Sequence, residues 1–377
     1  MAVANNTLMN DLKDWVIETF TPTFHDKRLS KTFGDLLVGL LKASRTGIAN
    51  IGREIEGPAL AKHKIKCVDR FLGNERVKVS AFLTHLVAFV VSKLPQPLMY
   101  ISIDWTDSND GRFQRLMASV NCHGRSLPVY WITVSKDLLA GAMTETEQQL
   151  LRTLRQLIPS HIEVVILADR GFAKVELLRL MDKIHLGYVF RCKSNFFVQG
   201  ARFRGPLFCL PTPKGTRHDF GRVLFTRQHQ YPLRVVAFRG PTQQETWFLV
   251  TNLRGEVAAI ASQYAHRMEI EETFKDIKNV RRGWQLRGLE LSTAGRQDRM
   301  MLLLAVAYTW MTLAGMWAED KGIARTYVAS STHRRVIALW RAGLMALRKG
   351  EVVTLQVLAS YMTALVYSGE GPNTAAA

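Results

Sequence analysis

The sequence predicts an α/β protein: a mixed sheet that carries a β-rich insertion, with a helical region before it and another after it. Three observations carry that prediction. Two short apolar runs, Leu98 to Ile103 and Val164 to Ala168, each close on an acid, Asp104 and Asp169, and such runs suit strands buried on both faces. Helical periodicity dominates both ends of the chain. Between Arg191 and Arg239 the sequence turns to short β-like pieces with ten Lys or Arg against one acid, Asp219.

Residues 1–95 read as helices, with apolar clusters at Phe33 to Val38 and Phe82 to Val91. Between them, Lys62, Lys64, Lys66 and Arg70 flank Ile65, Val68 and Phe71, a basic helix with an apolar underside. Such a helix serves either a small DNA-binding domain or simply a solvated surface. Pro95 and Pro97 then interrupt the helical pattern. Leu98 to Asp104, Arg115 to Val120 and Leu127 to Val134 read as three strands, the last two around a His123-Gly124-Arg125 turn. An amphipathic helix follows over Glu145 to Leu157, then the buried strand ending at Asp169, then a helix near Lys174 to Lys183. The insertion spans about 188–252, and one long helix is expected from Val257 to about Lys278. These boundaries make a catalytic region of 96–300 and a helical region of 301–377 with a disordered tail from Gly369.

Nearly half of the 377 residues are apolar (47%), enough for a substantial core, and the formal charge is +18. That charge points to a polyanionic partner, nucleic acid first, with a membrane surface or a ribosome-type assembly as rivals. Cys67, Cys122, Cys192 and Cys209 form no CxxC pair, so metal-ligand spacing is absent and the thiols read as reduced, in a cytoplasmic protein. The start, MAVANNTLMNDLKDW, lacks signal-peptide architecture. Met300 to Trp317 is 18 residues without a charge, at the lower edge of membrane-spanning length; Tyr, Thr and Trp in its middle favour a buried helix of a soluble domain.

A carboxylate at the end of a buried strand is costly unless it is paired or bound to a metal. Asp104 and Asp169 therefore read either as turn formers or as carboxylates sharing Mg²⁺ between adjacent strands. The segment YAHRMEIEETFKDIKN, Tyr264 to Asn279, bears on that choice. On a helical wheel with Tyr264 at zero, Arg267, Glu271 and Lys278 fall within about 60° of it, and Glu269, Glu272 and Asp276 point away. Ile270, Phe274 and Ile277 form the adjacent apolar stripe. One acid thus shares a face with Tyr, Arg and Lys, groups suited to holding phosphate.

The pattern Y-x2-R-x3-E-x6-K, filled by Tyr264, Arg267, Glu271 and Lys278, resembles the YREK signature of bacterial cut-and-paste DDE transposases. The group is the insertion-sequence family that contains the Tn-ten and Tn-five transposases, and the Tn-ten type is the more similar. KHKIKCVDRFLGN, IDWTD, CHGRSLP, LADRGF, WFLVTNL and RMEIEETFKDIK extend the resemblance, in order, from about Lys62 to at least Leu291. It implies an RNase-H-like fold and a DDE triad of Asp104, Asp169 and Glu271. That triad would hold two Mg²⁺ ions, with Mn²⁺ as a substitute. Asp107 and Asp110 are nearby acids that the motif does not select.

The resemblance further implies that Tyr264, Arg267 and Lys278 place DNA phosphates. Trp247 would stack a base flipped during hairpin formation, and Met268 would enter the space it vacates. Read from the residues alone, Trp247 is a core aromatic and Met268 a gap filler. Arg281, Arg282 and Arg287, with Trp284, would extend the basic surface, against the alternative of a solvated loop; His266 receives no role. The implied activity is cleavage of an element's terminal inverted repeats in double-stranded DNA and transfer of the 3′ ends to target DNA. It requires at least a homodimer in the synaptic complex and no membrane. A transposase-derived repressor and an RNase-H-like nuclease without strand transfer are the alternatives.

Overall fold

A computed structural model describes residues 2–24, 26–93, 97–108, 111–122, 124–201, 203–328, 336–351 and 353–364. Pro95, Asp110, His123 and the tail from Gly369 lie outside them. Five helices come first: α1 (Ala2–Phe24), α2 (Lys27–Ala43), α3 (Ile48–Glu54), α4 (Ala61–Gly73) and α5 (Val79–Val91). Asp26 caps α2 by accepting from the backbone N–H groups of Arg28 and Leu29, donors that the first turn cannot satisfy internally. In α4, Val68 and Phe71 turn into the core while Lys62, Lys66 and Arg70 stay exposed.

The meander follows as β1 (Leu98–Asp107), β2 (Phe113–Cys122) and β3 (Arg125–Ser135). β1 thus runs three residues past Asp104, where the sequence led us to expect its end. Next come α6 (Lys136–Leu139), α7 (Met143–Leu157), β4 (Glu163–Ala168), α8 (Val175–Lys183) and β5 (Gly187–Arg191). β1, β4 and β5 are parallel, β2 is antiparallel to β1, and β3, antiparallel to β2, runs in the direction of β1 again, in the order β3-β2-β1-β4-β5. This is the RNase-H-like arrangement expected above.

The insertion supplies β6 (Phe197–Gln199), β7 (Arg204–Pro206), β8 (Thr216–Phe225), β9 (Tyr231–Arg239) and β10 (Trp247–Thr251). Its strands continue the same sheet, β10 pairing antiparallel with β5, so ten strands are contiguous. Tyr188 to Phe190, grouped with the insertion from composition, belong to β5 and pair with β4.

The chain then forms α9 (Val257–Ala265), α10 (Met268–Lys278), α11 (Ala294–Asp320), α12 (Leu339–Lys349) and α13 (Leu355–Ala364). The single long helix expected over 257–278 is therefore two helices. α11 is long and apolar enough to cross a membrane, yet 94% of its most apolar window is buried inside the protein. It packs on α12, on β3 and against α2 and α4, so its apolar surface is consumed by the core. α9 covers the opposite face, where Val257, Ile260, Ala261 and Tyr264 meet Val165, Leu167, Val189, Val236 and Leu249. Alternation along β4 explains both layers: Val165 and Leu167 face α9, whereas Val164, Ile166 and Ala168 face the larger core.

Candidate active site

The parallel register of β1 and β4 sets Ser102 beside Leu167. Continued by two residues, it brings Asp104 and Asp169 to the same end of neighbouring strands, which lie about 4.8 Å apart. Asp104 Oδ1 accepts from the Trp105 backbone N–H at 2.8 Å. Asp169 Oδ1 accepts from Gly171 N at 2.8 Å, closing the tight turn into α8. A Cβ at Gly171 would stand 3.1 Å from that oxygen, so the turn is built around a residue with no side chain.

The third acid arrives from α10. Arg267, 8% exposed at its side chain, joins Glu271 in an ion pair and reaches Asp104 Oδ2 at 3.5 Å. The guanidinium therefore bridges the strand that carries Asp104 and the helix that carries Glu271. Burial pushes the Asp104 carboxyl up to about 6, Arg267 opposes that rise, and the charges of Asp169 and Glu271 add to it. All three acids thus share one electrostatic site. Tyr264 is buried beside Trp247, ring centroids 5.0 Å apart and edge to face; burial holds its hydroxyl up to about 12. The Lys278 ammonium is brought down to about 8, chiefly by burial, while Asp107 and Asp104 favour its charge against Arg115 and Arg287.

The wheel placed these groups on one stripe, but the stripe does not exist as a continuous helix. At the α9–α10 junction His266 N bonds to Gln263 O at 3.2 Å and Arg267 N to Tyr264 O at 2.9 Å, both three residues back. Tyr264 lies before this tightened turn and Glu271 after it, so the break itself sets their relation. The other acids of the segment also differ from a solvated face. Glu269 is buried and Asp276 pairs with Arg125 at 2.6 Å; only Glu272, with Lys275, makes an ordinary surface pair.

Trp247 is half-buried at the start of β10, and Met268 is 45% exposed with its sulfur 3.3 Å from Arg267 Nη2. Trp284 is fully buried against Trp340 and is not part of the basic surface on which the sequence placed it. Asp107 is exposed and accepts from Gln114 Nε2 at 2.9 Å.

One cluster was missed from sequence. Glu147 of α7 is 1% exposed, accepts from Trp105 Nε1 at 3.0 Å and from Lys174 Nζ at 2.6 Å, and ties the residue after Asp104 to the turn after Asp169. Its signal was available: Glu147 occupies the apolar stripe of α7 alongside Leu150, Leu151 and Leu154.

Residues 101–310 match the family model for the transposase DDE domain. The match covers more than half of the chain and runs from β1 through most of α11, so it contains Asp104, Asp169, Glu271 and every element that positions them. The chain belongs to the DDE transposase family. No curated protein matches it. Membership in this family implies DNA binding, and the family generally uses divalent metal ions.

Among the described residues no three His, Cys, Asp or Glu side chains are already grouped as a metal site. The donor set nevertheless fits a hard divalent cation, since carboxylate oxygens are its preferred ligands. The upward push on Asp104 comes first from burial, with Asp169 and Glu271 adding to it against Arg267, and a bound cation would favour the ionised carboxylate over that push.

Proposed function

We propose that this transposase is a cut-and-paste enzyme of the YREK type, closest to the Tn-ten group. It would cleave its element's terminal inverted repeats through a hairpin intermediate and transfer the 3′ ends to target DNA. The observation that carries the reading is the Arg267 bridge between Asp104 and Glu271, beside the electrostatic influence of Asp169 on Asp104. Asp104, Asp169 and Glu271 are the residues that would hold Mg²⁺, or Mn²⁺ in its place. When bound, two such ions supply charge stabilisation for the attacking and leaving oxygens of an in-line phosphoryl transfer.

The chain's own groups do the placing. Arg267 offsets the repulsion between Asp104 and Glu271 and keeps both carboxylates aimed into the site. The Tyr264 hydroxyl, held up to about 12, keeps its proton at neutral pH and can donate it in a hydrogen bond to a phosphate oxygen. Lys278, at about 8, remains mostly cationic there and serves as a compact charge beside the strand. Trp247, on the edge of Tyr264, is the platform proposed for a flipped base, and the exposed Met268 is the group proposed to fill its place. Lys62, Lys64, Lys66 and Arg70 of α4 would grip the duplex backbone from a DNA-binding region over 1–95. The catalytic region would span 96–300 and the helical region 301–377. The working assembly is a homodimer on paired ends, in the bacterial cytoplasm.

The test is incubation with Mg²⁺ and a duplex carrying the inverted repeat that flanks the reading frame. Hairpin-ended products that disappear in Asp104→Asn, Asp169→Asn and Glu271→Gln are the expected result. Hairpins persisting in Glu271→Ala would remove Glu271 from the triad. Binding without cleavage would identify a repressor, and nicks without end preference a nuclease.

A further inference from the structure

The face of α10 that turns away from the Arg267 bridge is the more firmly bonded one. Glu269 is buried, and its two oxygens meet three N–H groups and a ring nitrogen of His266. Oε2 accepts from Asn121 Nδ2 at 3.2 Å and from the Cys122 backbone at 2.9 Å, and Oε1 accepts from the Gly124 backbone at 3.2 Å and pairs with His266 Nδ1 at 2.7 Å. Donors in that number offset the cost of burying a carboxylate. Asn121 extends the contact in two directions. Its Nδ2 also donates to the His266 carbonyl at 2.7 Å, and its Oδ1 accepts from Ser102 Oγ at 3.0 Å.

The endpoints of this network matter. Ser102 stands two residues before Asp104 on β1, and Glu269 stands two residues before Glu271 on α10. A buried run of side-chain bonds, Ser102 to Asn121 to Glu269, therefore joins the two elements whose carboxylates must share a cation. It also closes on the His266 carbonyl, at the tightened turn between α9 and α10. Arg267, the residue before α10, makes no side-chain capping bond to it, so the turn draws on a bond from across the fold, Asn121 Nδ2 to the His266 carbonyl.

We propose that Glu269 is a positioning residue for the transposase reaction, which sets the spacing of Asp104 and Glu271 through Asn121 and the backbone N–H groups of Cys122 and Gly124. The inference rests on the reading of those two acids as metal ligands. The lower part of α10 is anchored separately. Thr273 Oγ1 accepts from Ser126 N and donates to Ser126 O, both at 2.9 Å, and Asp276 pairs with Arg125 and accepts from the Tyr308 hydroxyl at 3.0 Å. Removing the Glu269 contacts thus loosens the first turn of α10, where Glu271 sits, and leaves the rest of the helix docked.

Glu269→Gln keeps the volume but turns one acceptor into a donor facing N–H groups. Two readouts test it: Mn²⁺ binding to the full chain without DNA, from the free-ion EPR signal, and the Mg²⁺ midpoint for nicking the inverted-repeat duplex. Both are expected to weaken in the folded protein by roughly 10-fold to 100-fold, the range for groups that orient metal ligands, alongside the lower melting temperature that a donor set against buried N–H groups brings. A merely structural role would lower the melting temperature and the active fraction and leave both midpoints where they were. Should Glu269→Gln fail to fold, Ser102→Ala, which removes one bond of the run, is expected to shift both midpoints in the same direction by less. A folded variant with wild-type midpoints overturns the proposal. Glu271→Gln separates the two levels. If it leaves Mn²⁺ affinity intact, the ligand reading fails and takes the inference with it; if it weakens Mn²⁺ while Glu269→Gln does not, only the inference fails.

Discussion

Asp104 sits half-buried within β1, three residues before the strand ends, with two other acids in electrostatic range. Its carboxyl is pushed up to about 6, by burial first, against about 3.9 in an unfolded chain. An acid whose value rises on folding favours the folded state while protonated. Its contribution is therefore full below about pH 4 and is lost as the pH climbs through about 6. The shift corresponds to a stability loss on the order of 2–3 kcal/mol. Two outcomes follow for thermal unfolding of the metal-free protein. Asp104→Asn, neutral at every pH, is expected to be more stable than wild type at about pH 8 and to lose that advantage near pH 4. If Asp104 is a metal ligand as proposed, Mg²⁺ would bind its ionised form and is expected to stabilise wild type more at about pH 8 than at about pH 5 and to do little for Asp104→Asn. Equal pH dependence in the two proteins would show that Asp104 is not the strained group.

Among the elements, the strands were the most legible. Val164 to Ala168 is an unbroken apolar run because both faces of β4 are covered, by α9 on one side and the main core on the other. The α9–α10 break was not legible. Nothing from Val257 to Lys278 is Pro or Gly, and the bonds that hold the turn come from Asn121, remote in sequence. Trp284 was misplaced for a related reason: arginines flank it, and the partner that buries it, Trp340, lies in α12. Asp169 and Glu271 were legible as a strand-end acid and a helix acid, and Asp104 was read as a strand-end acid although β1 continues to Asp107; the Arg267 bridge between Asp104 and Glu271 was not legible. The α11–α12 crossing shows the same dependence on distant partners. A Cβ at Gly343 would lie 2.0 Å from Met311 O and 2.7 Å from Gly315 N, and one at Gly315 would lie 1.9 Å from Leu339 O. The backbones touch at paired glycines, so neither a rotamer change nor a small slide admits a methyl group. Gly343→Ala, ordinarily favourable within a helix, is expected instead to cost about 3 kcal/mol or more, read from denaturant unfolding. A neutral or stabilising effect would mean that the helices are not packed this closely.

For the molecule as a whole, the issue is where a charge of +18 meets DNA. Some basic side chains in and beside the insertion are already committed within the protein: Arg191 at the end of β5 to Glu245, and in the insertion Arg234 to Asp219 and Arg239 to the carbonyls of Thr212 and Gln244. On α4, by contrast, Lys62, Lys66 and Arg70 project from a helix whose other side, Val68, Phe71 and Leu72, is locked into the core. Asp69 of the same helix is held by Arg296 of α11, which removes the nearest acid from competition with DNA phosphate. A rigidly mounted basic face contributes to affinity through counterion release, with a log–log salt slope of about 0.9 per phosphate neutralised. Replacing Lys62, Lys64, Lys66 and Arg70 by Gln is therefore expected to flatten the salt dependence of duplex binding by up to about 3.6 units of slope, measured by fluorescence anisotropy. The melting temperature should hardly move, because surface substitutions outside packed contacts stay within about 0.5 kcal/mol. If the slope is unchanged, α4 is a solvated face and the duplex lies elsewhere on the protein.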